Sequence, residues 1–120
     1  MAAGGFGNSG VVNDNEGYAV SSNTWKTLAP VPTARTAGCF GVYKGKFYFA
    51  GGSDTSNAAL AVHEAYTATT KSWSTLAPMP RAAVGPGSAM VKGRLYCVGG
   101  STNGALFQGT VFNDVQIYQP

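Results

Sequence analysis

The sequence is poor in charge. Only 11% of its 120 residues are Asp, Glu, Lys or Arg, eight basic against five acidic, for a net charge of +3. There is no block of Lys and Arg, so the electrostatic footprint of a nucleic-acid binder is missing. No run of about 18 apolar residues occurs, so no segment reads as a membrane-crossing helix. The opening MAAGGFGNSG has no basic end followed by an apolar stretch and does not read as a signal peptide. Histidine occurs once, at His63, and cysteine twice, at Cys39 and Cys97. These do not supply the converging N and S donors of a zinc or copper site. No serine sits on a recognisable nucleophile elbow, and no dense carboxylate loop of the calcium kind is present. Two cysteines are too few for a disulfide framework. They fall at non-equivalent places in the repeat described below and read as buried thiols packing as small apolar residues. The composition implies no catalytic centre, no metal and no cofactor.

Glycine, by contrast, is abundant, with 17 residues. Many glycines and few charges suit short strands and tight turns better than long helices. A chain of 120 residues suits one domain with a core of its own.

The dominant feature is an internal repeat. Residues 25 to 52 read WKTLAPVPTARTAGCFGVYKGKFYFAGG, and residues 73 to 100 read WSTLAPMPRAAVGPGSAMVKGRLYCVGG. Twelve of these 28 aligned positions are identical at an offset of 48. Upstream, Glu16, Tyr18 and Trp25 answer Glu64, Tyr66 and Trp73, and near the end Asn113, Asp114 and Tyr118 answer Asn13, Asp14 and Tyr18. Gly4 and Gly5 form a further copy of the pairs Gly51–Gly52 and Gly99–Gly100. A period near 50 residues marks stacked supersecondary units, each unable to bury its apolar face alone.

Within a unit, two apolar runs flank Lys44–Gly45 or Lys92–Gly93, the pattern of a β-hairpin. A polar loop follows, then a short run ending in Tyr66 or Tyr118, then a turn, the Trp, and Leu-Ala closed by two prolines. Each unit is thus a meander of four strands, here a, b, c and d. Proline cannot donate to a ladder, so the Pro30–Pro32 and Pro78–Pro80 pairs close strand d. Trp25, Trp73, Tyr18, Tyr66 and Tyr118 recur once per unit, as expected of large aromatics between packed sheets. The spacing G-x-G-x-x-G in Gly5 to Gly10 lacks the strand and helix a dinucleotide site requires.

The double glycine, the strand-c Tyr, the Trp seven residues later and the LAPMP phrase together resemble the kelch repeat family, over essentially the whole chain and with wording closest to kelch proteins of bacterial origin. The family's Asp-Pro after the strand-c Tyr is not kept at Tyr18 or Tyr66. The resemblance implies an all-β fold, a sector of a kelch-type β-propeller built from four-stranded antiparallel meander blades, about 2.5 repeats in all. Residues 1–35 are expected to hold strands c and d at the end of one blade, 36–83 a complete blade, and 84–120 strands a, b and c of a third. Those nine strands do not make whole blades. The arithmetic favours a fragment of a larger propeller, with self-assembly of several copies into a closed ring as the alternative. The bacterial resemblance allows a secreted or cell-envelope setting.

In a meander of this kind the b–c and d–a loops emerge at the same end of the blade. Arg35 and Arg81 lie just after strand d, and arginines in the matching loops of eukaryotic kelch proteins line the ligand pocket. Arg suits carboxylates and acidic peptides, although Arg35 aligns with Ala83 and Arg81 with Thr33. Asp54 and Asn57 lie in one b–c loop and Asn103 in the next, where such residues also serve turn geometry. The expected function is an interaction module that takes a protein or carbohydrate ligand at Arg35, Arg81, Asp54, Asn57 and Asn103, not an enzyme, with no nucleic-acid or membrane partner. A kelch-type enzyme, resembling a sialic-acid mutarotase or an oxidase, is the competing reading. It lacks a cluster of titratable groups, and galactose oxidase, which carries a kelch-like domain, needs two histidines and a Cys–Tyr pair that have no counterpart here.

Overall fold

The structure is a computed structural model describing residues 1–105 and 108–120. Its regular elements are ten strands: β1 (Ala2–Gly7), β2 (Gly10–Ala19), β3 (Thr24–Thr27), β4 (Cys39–Tyr43), β5 (Lys46–Ala50), β6 (His63–Thr67), β7 (Ser72–Thr75), β8 (Gly87–Val91), β9 (Arg94–Val98) and β10 (Val115–Tyr118). They form three antiparallel sheets: β1-β2-β3, β4-β5-β6-β7 and β8-β9-β10, here called blades 1, 2 and 3. The fold is the all-β propeller sector that the resemblance implies.

The hairpin turns fall where the glycine pairs put them. Lys44 and Gly45 both take positive φ (47° and 73°), as do Lys92 and Gly93 (48° and 77°). Positive φ at both central residues defines the turn whose twist matches that of the flanking strands. The residues opposite one another agree between copies as well: Tyr43↔Lys46 and Phe40↔Phe49 in blade 2 correspond to Val91↔Arg94 and Ser88↔Cys97 in blade 3.

Blade 1 departs from expectation. Nine strands follow from the sequence pattern, and the structure has ten, because β1 is a full strand b. In blades 2 and 3 the double glycine ends strand b and a long polar loop follows. In blade 1 the strand runs on through a register shift between Ala3 and Gly5, turns at Asn8–Ser9 and returns as the ten-residue β2. The Gly5-to-Gly10 segment is therefore a hairpin tip.

Alternate residues along each strand point to opposite faces, and this parity decides what meets across a blade boundary. Blade 2 turns Cys39, Tyr48, Ala50 and Ala65 toward Leu95 and Cys97 of blade 3, and Met79 and Ala83 close the cluster. Phe47, Phe49, Glu64, Tyr66 and Trp73 face the other way, toward blade 1. Cys39 and Cys97 are joined by a disulfide across the blade 2–3 boundary, their Cα atoms 5.8 Å apart. This corrects the reading of two separate thiols. Their non-equivalence in the repeat places one on each of two facing surfaces, which is the condition for them to bond.

The repeat aromatics divide by position. Tyr66 is buried and Trp73 half-buried, but Tyr18 and Trp25, 5.2 Å apart, are 42% and 60% exposed. They occupy the face of blade 1 against which no further blade lies, so the core role expected of them is not realised in this structure.

Candidate functional site

The b–c and d–a loops do share one end of the blades. Thr36 in the first d–a loop bridges Ser53 in the b–c loop of blade 2, and Val84 in the second bridges Ser101 in that of blade 3. The double glycines build this junction. Gly5 N donates to Arg35 O at 3.0 Å and Gly52 N to Ala83 O at 2.8 Å. A Cβ at Gly51, whose φ is +67°, would stand 2.8 Å from Ala83 O, so no other residue fits without displacing the loop.

The Arg35 side chain is not on this rim. It is fully buried, with Nη1 3.0 Å from Glu64 Oε2 and Nη2 donating to Phe49 O at 2.6 Å, and its guanidinium lies 4.2 Å above the Phe49 ring. Thr33 Oγ1 donates to the other carboxylate oxygen of Glu64 at 2.9 Å. Desolvation pushes the guanidinium pKa down to about 10, against the Glu64 charge and hydrogen bond. It remains charged at neutral pH and ties blade 1 to blade 2. The expected ligand role at Arg35 is corrected accordingly: the d–a chain turns this side chain inward, where Phe49 and Glu64 cover it.

Arg81 is on the rim. Its guanidinium pairs with Asp114, sits over the Phe112 ring, and remains partly exposed. Its backbone N–H donates to Gln116 Oε1 at 2.9 Å. Gln116 stands in strand c where Glu64 stands one blade earlier, and Arg81 where Thr33 stands. The d–a loop thus reaches strand c at both boundaries, through the Thr33 hydroxyl to Glu64 and through the Arg81 backbone N–H to Gln116.

The three remaining residues are brought together. Asp54 Oδ1 accepts from Ser56 N (2.9 Å), Ser56 Oγ (2.6 Å) and Ala58 N (3.1 Å), fixing the loop as an Asx-type turn. The Ser56 hydroxyl above all holds its carboxyl below the ordinary range; desolvation opposes it, and the Ala58 and Ser56 amides add lesser support. Asn57 takes a left-handed φ of 65°, and its carbonyl accepts from Gly104 N at 2.9 Å. Ala58 bridges Asn103, whose Oδ1 accepts from Ala105 N at 2.7 Å. The b–c loops of blades 2 and 3 are therefore stitched into one surface. Asp54 and Asn103 spend oxygens on their own loops, while the Asn57 side chain is exposed. Residues 106 and 107 of the second loop lie outside the described residues. Sequence reasoning missed Phe112 and Asp114 as the seat of Arg81, since nothing in the spacing pairs them.

His63, set aside as a ligand, is 2% exposed, with Nδ1 3.2 Å from Ala77 O and its ring edge-on to Tyr118 at 4.4 Å. Burial lowers its pKa. Among the described residues no group of three His, Cys, Asp or Glu is arranged to hold a metal ion.

Three antiparallel sheets packed face to face, with their loops sewn together at one end, define a β-propeller sector. Residues 82–120 match the Kelch motif. Blade 3 is accordingly a kelch repeat, and blade 2 shares the register of its hairpin. No curated protein matches the chain.

Proposed function

We propose that the chain is a kelch interaction module that takes a protein or carbohydrate ligand on the rim formed by the b–c and d–a loops of blades 2 and 3. The observation that carries this reading is the stitching of the Asp54–Ala58 loop to the Asn103–Gly104 loop beside the d–a loop bearing Arg81. Loops held by a rigid scaffold are where binding residues concentrate. The exposed Asn57 amide supplies donors and an acceptor, and the part-exposed Arg81 a planar cation matched to carboxylates.

The test is a titration of the isotopically labelled chain with a panel of acidic peptides and neutral and acidic oligosaccharides, read by amide shifts. Binding that moves residues 54–58, 81 and 101–105, and that weakens about tenfold in Asn57→Ala or Arg81→Ala, supports the rim. Binding that moves only the blade faces removes it.

A second reading rests on the outer faces. Tyr18 and Trp25 on blade 1, and Val98, Val115 and Ile117 on blade 3, are all at least 42% exposed. Apolar faces of this kind favour association, so homo-oligomers that extend the propeller are expected. Light scattering over a hundredfold concentration range checks this, and a constant monomer mass removes it.

A further inference from the structure

The sequence has no block of Lys and Arg, yet the fold gathers five of its eight basic residues at one end of blades 2 and 3. A meander puts its a–b and c–d turns opposite its b–c and d–a loops. Lys44 and Lys46 stand at the a–b turn of blade 2, Lys92 and Arg94 at that of blade 3, and Lys71 at the c–d turn of blade 2. Contacts between the turns set them in a row. Ala68 N donates to Gly45 O at 3.0 Å, joining the two turns of blade 2. The blade 3 turn rests on blade 2 through Gly93, where a Cβ would stand 2.8 Å from the Tyr43 ring. Lys44 Nζ lies 5.2 Å from the centre of that same ring. The order along the row is Lys71, then Lys44 and Lys46, then Lys92 and Arg94.

All five residues are exposed, and among the described residues none of them is in an ion pair. The acids are elsewhere. Asp54 and Asp114 belong to the loop end, and Glu64 is buried against Arg35. Asp14 and Glu16 alternate with Asn15 on β2, so they share the face that Tyr18 turns away from blade 2. Turn geometry does not ask for these cations either. Lys44, Lys71 and Lys92 have φ of 47°, 53° and 48°, a region that few residues other than glycine adopt and that asparagine enters more readily. In the c–d turn of blade 1 the counterpart of Lys71 is Asn23, with φ 51°. Lysine here adds charge rather than shape.

What accompanies the charge identifies the partner. Thr69, Thr70 and Ser72 are exposed on the c–d turn, and Tyr43 is only half-buried. Hydroxyls both donate to and accept from sugar hydroxyls, and an aromatic ring offers an apolar face with a polar tip. The turn tips, Lys-Gly and Thr-Thr, hold no large apolar side chain to enter a bilayer, as interfacial helices do. Nor do they hold a series of aromatics on which successive bases would stack. We propose that this end of blades 2 and 3 is a docking track for a linear acidic polysaccharide, whose anionic groups meet Lys71, Lys44, Lys46, Lys92 and Arg94. The track lies at the opposite end from the loop rim and does not depend on the ligand proposed there.

The experiment titrates the labelled chain with oligogalacturonate and with dextran sulfate fragments, beside neutral maltooligosaccharide, duplex DNA and phosphatidylglycerol vesicles. Saturable binding of an acidic sugar is expected, with amide shifts at residues 43–46, 68–72 and 91–94; the tighter of the two tells carboxylate from sulfate. Raising salt from about 0.01 to 0.5 M should weaken it about tenfold or more, because exposed charges are screened. Lys44→Asn, Lys71→Asn and Lys92→Asn together should weaken it about tenfold at an unchanged melting temperature, because asparagine suits the turns and removes the charge. Shifts confined to residues 54–58, 81 and 101–105 would support the loop rim and overturn the track. Equal binding of the neutral sugar, tighter binding to DNA or vesicles, undiminished binding by the triple variant, or no binding of either acidic sugar at millimolar concentration would each overturn it as well.

Discussion

The two blade boundaries are built on the same backbone plan and closed by different chemistry. Between blades 1 and 2 a buried ion pair, Arg35–Glu64, is backed by the Phe49 ring and by the Trp73 indole. Between blades 2 and 3 the corresponding positions hold Ala83, Gln116 and Cys97, and closure comes from an apolar cluster and a disulfide. The repeat constrains the strands, turns and glycine contacts. The facing side chains are free to vary provided each boundary is satisfied as a set.

The sharpest way to break this contrast is to take one partner from the ion pair. Arg35→Ala leaves the Glu64 carboxylate buried without its cation, and removing one member of a buried pair typically costs about 3–5 kcal/mol. A denaturant midpoint is expected to fall accordingly, while Arg81→Ala, whose pair is partly exposed, shifts it by less than about 1 kcal/mol. Equal effects would mean that burial of Arg35 is not what holds this boundary.

The matching experiment on the other boundary is reduction. The disulfide closes a separation of 58 residues, and removing such a link typically costs about 2–4 kcal/mol. The chain with both cysteines changed to alanine, or treated with reductant, should melt earlier. A melting temperature insensitive to reductant would show that the thiols are not joined.

The turns and the meander were legible because they depend on local residues, Lys-Gly pairs and prolines, at one offset. Strand β1 was not, because Gly4–Gly5 closes a strand in the other copies and here lies within one. The hint was the Asn8-Ser9-Gly10 turn between the flanking apolar residues. The disulfide follows from strand parity: Cys39 pairs with Ala50 on one face, and Cys97 corresponds to Phe49 on the other. The repeat alignment shows likeness between copies and is silent on which faces meet. Arg35 was misplaced for a related reason. Its partner is 29 positions away, and the only trace is that Arg35 and Glu64 become Ala83 and Gln116 together. Of the rim, Asp54, Asn57 and Asn103 were legible as loop residues, but their stitching across blades was not.

A smaller effect separates the inner boundaries from the outer face. Trp73 is half-buried and hydrogen-bonded, and Trp25, its counterpart, is 60% exposed. Trp73→Ala should cost about 2–3 kcal/mol, less than the 3–5 typical of a fully buried aromatic, and Trp25→Ala less than about 1 kcal/mol, as at other surface positions. Comparable losses in urea midpoints would mean that the blade 1 face is covered in solution.

The finest comparison is between Asn15 and His63, which make the same bond to the linker carbonyl at successive boundaries. Burial holds the His63 imidazole below its ordinary value; the Ala77 carbonyl opposes this, Arg35 reinforces it and Glu64 opposes it. The unfolded chain therefore takes up this proton more readily than the folded one. Above the ordinary pKa of about 6.5 neither state is protonated, and the group adds no pH dependence. As pH falls below that value the unfolded state gains the proton first, and stability declines until the folded state is protonated too. Asparagine supplies the same hydrogen bond without titrating. His63→Asn should thus leave the melting temperature near pH 8 little changed and flatten its decline between about pH 6.5 and 5. Melting curves at half-unit steps measure the slope, and a decline as steep as in the unmodified chain would assign the acid sensitivity to some other group.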